Sequence, residues 1–230
     1  MPARNAEKQY VRNCYYHLYN RGVEKRDIFI DDQDRGVFLS YLKEYLLPKG
    51  EALLHQKLAD PKTSPIDKAK ILKALRMNNF SSEIQLLAYA LMPNHFHLLV
   101  HQKSALTIDT FMNSLGTRYS MYFNRKYKRV GPLYQGVYKA VPIVSEEQLL
   151  HVSRYIHRNP LSLQGVALKM LSNQPTSYAE YLGMRNTLLI HAAEILSYLS
   201  KTIPFMNYSA FVNETDELEV IKDVVIDLDR

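Results

Sequence analysis

Two histidines one residue apart, His95 and His97 in "LMPNHFHLLV" (91–100), interrupt an otherwise apolar run. On a strand, side chains two apart share a face, so the imidazoles lie side by side. Two neutral rings at this spacing can chelate one divalent cation, although a bare His-x-His more often describes ordinary histidines at a sheet surface. A second group lies in "SEEQLLHVSRYIHRNP" (145–160), where Tyr155 and Asn159 are four residues apart and share a helix face. Gln148 and His151 extend this stripe toward the N-terminus as auxiliary candidates. A tyrosine beside an apolar stripe is ordinarily packing, and an asparagine before proline ordinarily marks a helix end. Chemically, however, Asn159 offers a neutral oxygen ligand and Tyr155 a phenolic nucleophile. A cation on His95, His97 and Asn159 would keep positions open for a phosphodiester oxygen. Tyr155 could then attack the phosphorus, forming a phosphotyrosine and releasing a 3′-hydroxyl. The phosphodiester energy stays in the tyrosine link, so strands can be rejoined without a nucleotide cofactor. A substrate that must bend into such a site favours single-stranded DNA.

A third group is the basic-aromatic stretch "RYSMYFNRKYKRVG" (118–131). Arg118, Arg125, Lys126, Lys128 and Arg129 can track phosphates, while the interleaved Tyr119, Tyr122, Phe123 and Tyr127 can stack on unpaired bases. The bland alternative is a solvated helix face whose aromatics are core, and a mixture is expected, with Met121, Tyr122 and Phe123 partly buried. Arg154 and Arg158 flank Tyr155 as further phosphate contacts or as plain surface arginines.

The elements that must position these groups read as follows. "CYYHLYNRG" (14–22) is an aromatic-rich strand closed by Gly22. Residues 31–47 form a helix with acids in its first turn. Residues 48–82 are an inserted helical excursion outside the core sheet. "IQLLAYALM" (84–92) suits a central strand covered on both faces. "PN" (93–94) turns the chain into the return strand 95–101, with Phe96, Leu98 and Val100 on one face and His95, His97, Leu99 and His101 on the other. Residues 106–127 form a long helix and 132–144 a further strand or hairpin. Residues 145–159 form the best-marked helix, with Ser145 and Gln148 as a capping box and Pro160 as its stop. A loop and short helix (175–183) and an amphipathic helix (185–200) follow. The order β-α-(insert)-β-β-α-β-α predicts an α+β fold, a ferredoxin-like, RRM-like antiparallel sheet with packed helices.

The 230 residues suffice for one generous domain, here drawn as 10–183 for the catalytic unit with 48–82 as its insert, 184–213 for a C-terminal helix, and 214–230 for an acidic tail. The tail holds 7 acids and 2 bases, leaving 27 bases against 16 acids in residues 1–213. A basic body fits a polyanion partner, and as readily a basic protein with no such role. A single cysteine, Cys14, excludes an internal disulfide framework. The opening residues lack an apolar signal region, and no apolar run approaches the roughly 18 residues of a membrane span. A cytoplasmic protein with no membrane partner is expected.

Four stretches then occur in the order of a known family: "YHLYNRGVEKRDIFIDDQDRGVFLSYL" (16–42), "LMPNHFHLLV", "LGTRYSMYFNRKYKRVGPLYQGVYKA" (115–140) and "LLHVSRYIHRNP" (149–160). Over roughly residues 14–183, outside the insert, the chain resembles the single-tyrosine HUH transposases (IS200-like), closest to the REP-associated tyrosine transposases. The resemblance implies a ferredoxin-like domain that uses Mg²⁺ or Mn²⁺ to cleave and join single-stranded DNA through a 5′-phosphotyrosine, recognising a DNA hairpin with a guide sequence beside it. It places the paired histidines on His95 and His97, the nucleophile on Tyr155 and the third ligand on Asn159. Val137 stands where the family often has an arginine. A monomer is the expected state, with some relatives dimeric. A non-catalytic or domesticated hairpin-DNA-binding module, and a water-using phosphodiesterase, are the competing readings.

Overall fold

The computed structural model describes residues 8, 10–162, 175–202 and 207–213. The tail expected at 214–230 lies outside them. Four strands, β1 (Cys14–Arg21), β2 (Ile84–Met92), β3 (His95–Gln102) and β4 (Lys139–Ile143), form one antiparallel sheet in the order β2-β3-β1-β4. This is the split β-α-β arrangement expected from the element order. β1 and β3 are central and pair along their full length, from Cys14 opposite Gln102 to Arg21 opposite His95.

One face of the sheet is covered by α1 (Asp32–Leu46) and α4 (Thr107–Lys126), the other by α5 (Glu146–Arg158). Alternation on the strands decides which side chains meet which helices. Tyr16, Leu18, Phe96, Leu98 and Val100 face α1 and α4, where Phe38 packs on Phe96 and Tyr119 on Phe29 and Phe38. α1 begins with a capping box: Asp31 accepts from the Asp34 N–H, and Asp34 accepts from the N–H groups of Asp31 and Ile30. Gly22 closes β1 because a Cβ there would lie 2.2 Å from the Arg26 carbonyl oxygen.

The excursion folds as two helices, α2 (Glu51–Ala59) and α3 (Pro65–Arg76), neither with a buried residue. Its neck is closed by Lys49, which donates to the carbonyls of Leu75 and Met77, and by Asn79, which donates to those of Glu44 and Leu47.

The region after 183 differs from expectation. No helix starts at 185. After a turn at Thr187–Ile190, Ile190 bridges Leu86 of β2 and the His191 N–H bonds the Leu86 carbonyl, and α7 (Ala192–Thr202) begins only after that pairing. A backbone engaged by a strand edge is not available to a helix, which amphipathic periodicity alone does not reveal. α6 (Tyr178–Tyr181) and α8 (Tyr208–Asn213) complete the described chain, so 184–213 holds two helices rather than one. α7 and α8 pack on α5 and join the same core through Ile195, Leu199, Tyr208, Phe211 and Val212. Among the described residues no helix is long and apolar enough to cross a membrane.

Candidate active site

β3 turns His95 and His97 toward α5. Beside them in the sheet are Arg21 and Tyr19 on β1 and Met92 and Ala90 on β2. The small Ala88 and Ala90 are fully buried beneath the helix layer. α5 is capped by Ser145, which accepts from the Gln148 N–H, and carries Glu146 and Glu147 in its first turn, where the helix dipole favours acids. Leu149, Val152 and Ile156 bury its apolar stripe. Pro160 does not end the helical path. The chain tightens into a 3₁₀ turn over Asn159–Ser162, which keeps Asn159 in helical geometry one turn beyond Tyr155.

The three expected ligands converge. Asn159 Oδ1 lies 3.1 Å from His95 Nε2, and its Nδ2 lies 3.2 Å from His97 Nε2. All three residues are buried. The far ring nitrogens are tied down. His95 Nδ1 lies 2.6 Å from Asn94 Oδ1, whose amide orientation is set by donation from Nδ2 to the Lys25 carbonyl. His95 Nδ1 is therefore the donor to Asn94, and its Nε2 faces the amide oxygen of Asn159. His97 Nδ1 lies 2.8 Å from Nε2 of His17. Burial, then the neighbouring His17 and His95, push the His97 pKa well below the usual imidazole value, so the ring is neutral. Two imidazole Nε2 atoms meeting at one amide side chain, with the outer nitrogens held by hydrogen bonds, make a donor set suited to a divalent cation. Among the described residues no group of three His, Cys, Asp or Glu side chains could hold a metal, so this set depends on the amide.

Tyr155 stands over the same point. Its ring is edge-on to His97 at 5.4 Å and to His17 at 6.1 Å between centroids, and it is only half-buried. The strand turn beneath is gripped by the segment after β1: the Gly22 N–H donates to Asn94, and the Ile28 and Phe29 N–H groups to Pro93.

Other expected contacts lie elsewhere. Gln148 Oε1 accepts from the Val144 N–H, and His151 accepts from Arg154 and packs on Phe211, so neither is brought to the histidines. Gln148 thus serves the helix start, but through Val144 rather than Ser145 as a full capping box would need. Arg154 is buried against Phe211 and donates to its carbonyl, and Arg158 donates to that of Val212; both guanidiniums are spent on the C-terminal carbonyls of α8. Arg118 pairs with Glu44 over the Tyr41 ring, and Lys126 binds Asp31 and Asp34, both on the α1–α4 face remote from Tyr155. Tyr119 and Phe123 are core, and Tyr122 and Tyr127 donate to Asp34, so these aromatics are not a stacking surface; Met121, expected partly buried, is exposed. Arg125 and Lys128 are exposed, and Arg129 reaches Asn124. Arg125 lies in the last turn of α4 and Lys128 and Arg129 just beyond it, where the chain returns toward the segment after β1 and the Val23 N–H bonds the Leu133 carbonyl. His17, Tyr19 and Asn94 were not singled out from the sequence. The alternation of Tyr15, His17, Tyr19 and Arg21 on β1 is the signal that contained the first two.

The chain is thus an α+β domain whose antiparallel sheet presents two histidines to a helix bearing tyrosine and asparagine. Residues 63–159 match the family model "Transposase IS200 like". The match starts inside the excursion and includes α3. Among solved structures, the chain is similar to a REP-associated tyrosine transposase bound to a REP hairpin, at 10% identity over 81% of this chain and 96% of that one, with a TM-score of 0.50. A candidate transposase from Deinococcus radiodurans R1 is 17% identical over 67% of this chain and 96% of that one, with a TM-score of 0.37. No curated protein matches.

Proposed function

We propose that this chain is a metal-dependent transposase-type enzyme that cleaves and rejoins single-stranded DNA through a 5′-phosphotyrosine. The observation that carries the reading is the placement of Tyr155: its ring lies against His97, one helical turn from the Asn159 amide that meets both histidines. His95, His97 and Asn159 would hold Mg²⁺ or Mn²⁺, which when bound supplies Lewis-acid polarisation of a phosphodiester oxygen. The Tyr155 oxygen attacks the phosphorus and the P–O3′ bond breaks. The phenolic proton passes to solvent, the departing 3′ oxygen takes one up, and the 5′-phosphate stays on Tyr155. A 3′-hydroxyl attacking that ester reverses the bond changes and joins strands.

Hairpin DNA is the proposed partner. The structural relative solved with a REP hairpin supports this, as does the basic character of the body. Arg125, Lys128 and Arg129 are the phosphate contacts we retain, since Arg118, Lys126, Arg154 and Arg158 are engaged within the protein. The catalytic unit is drawn as 10–183, with 184–213 bracing α5. Nucleophile and ligands come from one chain, which supports action as a monomer.

The test is incubation of end-labelled hairpin DNA with the protein and Mg²⁺ or Mn²⁺, followed by denaturing electrophoresis. A covalent adduct is expected, and its loss in Tyr155→Phe. No adduct with either metal overturns the transferase reading, an adduct that survives Tyr155→Phe removes Tyr155 from the role, and cleavage without an adduct identifies a hydrolase.

A further inference from the structure

His17 has no part in the chemistry above, yet its imidazole is wholly buried and spends a nitrogen on His97. Its Nε2 lies 2.8 Å from His97 Nδ1, and the rings stack at 5.0 Å between centroids. The proton positions follow from the neighbours. Asn159 Nδ2 donates to His97 Nε2, so that nitrogen presents a lone pair. A neutral imidazole carries one N–H, which in His97 is then on Nδ1. The nearest acceptor for it is His17 Nε2, which leaves the His17 proton on its own Nδ1. Tyr19 and Tyr155 pack against the His17 ring at 5.0 and 6.1 Å and hold its plane.

We infer that His17 is a positioning residue: by accepting the Nδ1–H of His97 it fixes the tautomer and ring orientation in which the Nε2 lone pair of His97 faces Asn159. The inference rests on the proposed metal-dependent reading, in which that lone pair is a ligand. His95 receives the same service from Asn94, so the two imidazoles are oriented by two different acceptors, a carboxamide on one side and an imidazole on the other. Outer partners of this kind typically change metal affinity by about 10–100-fold.

The test begins without metal. Long-range ¹H–¹⁵N correlation of the imidazole nitrogens in the wild-type protein is expected to place the His97 proton on Nδ1; a proton on Nε2 overturns the inference. Mn²⁺ titration followed by electron paramagnetic resonance gives the consequence. His17→Phe is expected to weaken Mn²⁺ binding by about 10–100-fold, and His17→Gln, whose carbonyl accepts the same hydrogen, to recover most of it. Equal affinity of His17→Phe and wild type overturns the inference. His95→Ala separates the two readings. If wild type binds Mn²⁺ no better than His95→Ala, the metal reading falls, while the tautomer of His97 still decides for or against His17.

Discussion

The two faces of the sheet carry polar groups of similar kind and put them to opposite uses. On the α1–α4 face, the buried Asp34 is saturated. It accepts from Lys126 at 2.8 Å, Tyr127 at 2.8 Å, Tyr122 at 3.0 Å and the Ile30 N–H at 2.9 Å. Burial alone would raise its pKa, but the hydrogen bonds from Lys126, the backbone and the two tyrosines outweigh it and hold the carboxyl below its usual range. On the α5 face, His95 and His97 turn their Nε2 atoms toward the one amide of Asn159, and their Nδ1 atoms are held behind by Asn94 and His17. A buried polar cluster that closes on itself is structure; one whose lone pairs converge is poised for a ligand. The basic-aromatic stretch of α4, which reads as a nucleic-acid surface in composition, mostly belongs to the first kind.

The sharpest way to break this contrast is Tyr155→Phe. Adduct formation should fall by on the order of 10⁴-fold or more, while thermal unfolding shifts by less than about 1 kcal/mol, since the ring remains; a large stability loss would make Tyr155 a packing residue. Asp34→Ala should do the reverse. It should lower unfolding free energy by about 3 kcal/mol, because it removes a helix cap and leaves Lys126 without its buried partner, with Mn²⁺ affinity of the folded protein unchanged. A drop in that affinity would couple the two faces.

A third, weaker effect separates structural from site histidines by pH. His157 is fully buried between the hydroxyls of Tyr208 (2.7 Å) and Ser177 (2.8 Å), and burial pushes its pKa down to about 3. The unfolded chain takes up a proton near about 6.5 and the folded one does not, so stability is full above that pH and is lost on acidification. Between about pH 6.5 and 4.5 urea unfolding should show a slope approaching about 1.4 kcal/mol per pH unit from this residue, and His157→Gln should flatten it. An unchanged slope would assign the acid sensitivity elsewhere. The smallest effect is electrostatic. Lys128→Gln should reduce the salt dependence of hairpin binding by about one unit of slope, whereas Lys126→Gln should leave that slope unchanged; equal slopes for the two would erase the distinction between exposed and internally paired bases.

Much of this was legible in the sequence wherever period and chemistry coincide. Strand alternation put His95 and His97 on one face, helical spacing put Tyr155 beside Asn159, and the element order predicted the sheet that brings them together. What was hidden depends on partners distant in sequence. The roles of Arg154 and Arg158 are set by α8, more than fifty residues later, and that of Lys126 by a helix start ninety residues earlier. A charge displays its sign in sequence but not its counter-ion. His17 was missed because a single histidine in an aromatic strand has no pattern of its own; only register with β3 places it against His97.

The closed neck of the excursion has a consequence in chain-entropy terms. Lys49 and Asn79 bond across its base, and the Phe80 N–H bonds the Tyr45 carbonyl at 2.7 Å, so α1 and β2 are fastened to each other whatever lies between them. With the Asn79 and Phe80 contacts outside the excursion's helices, its length enters stability only logarithmically, at about 0.6 kcal/mol per doubling. The segment is therefore free to be shortened, lengthened or exchanged while the histidine strands keep their register, which makes it the place where this scaffold can vary at least expense to its site.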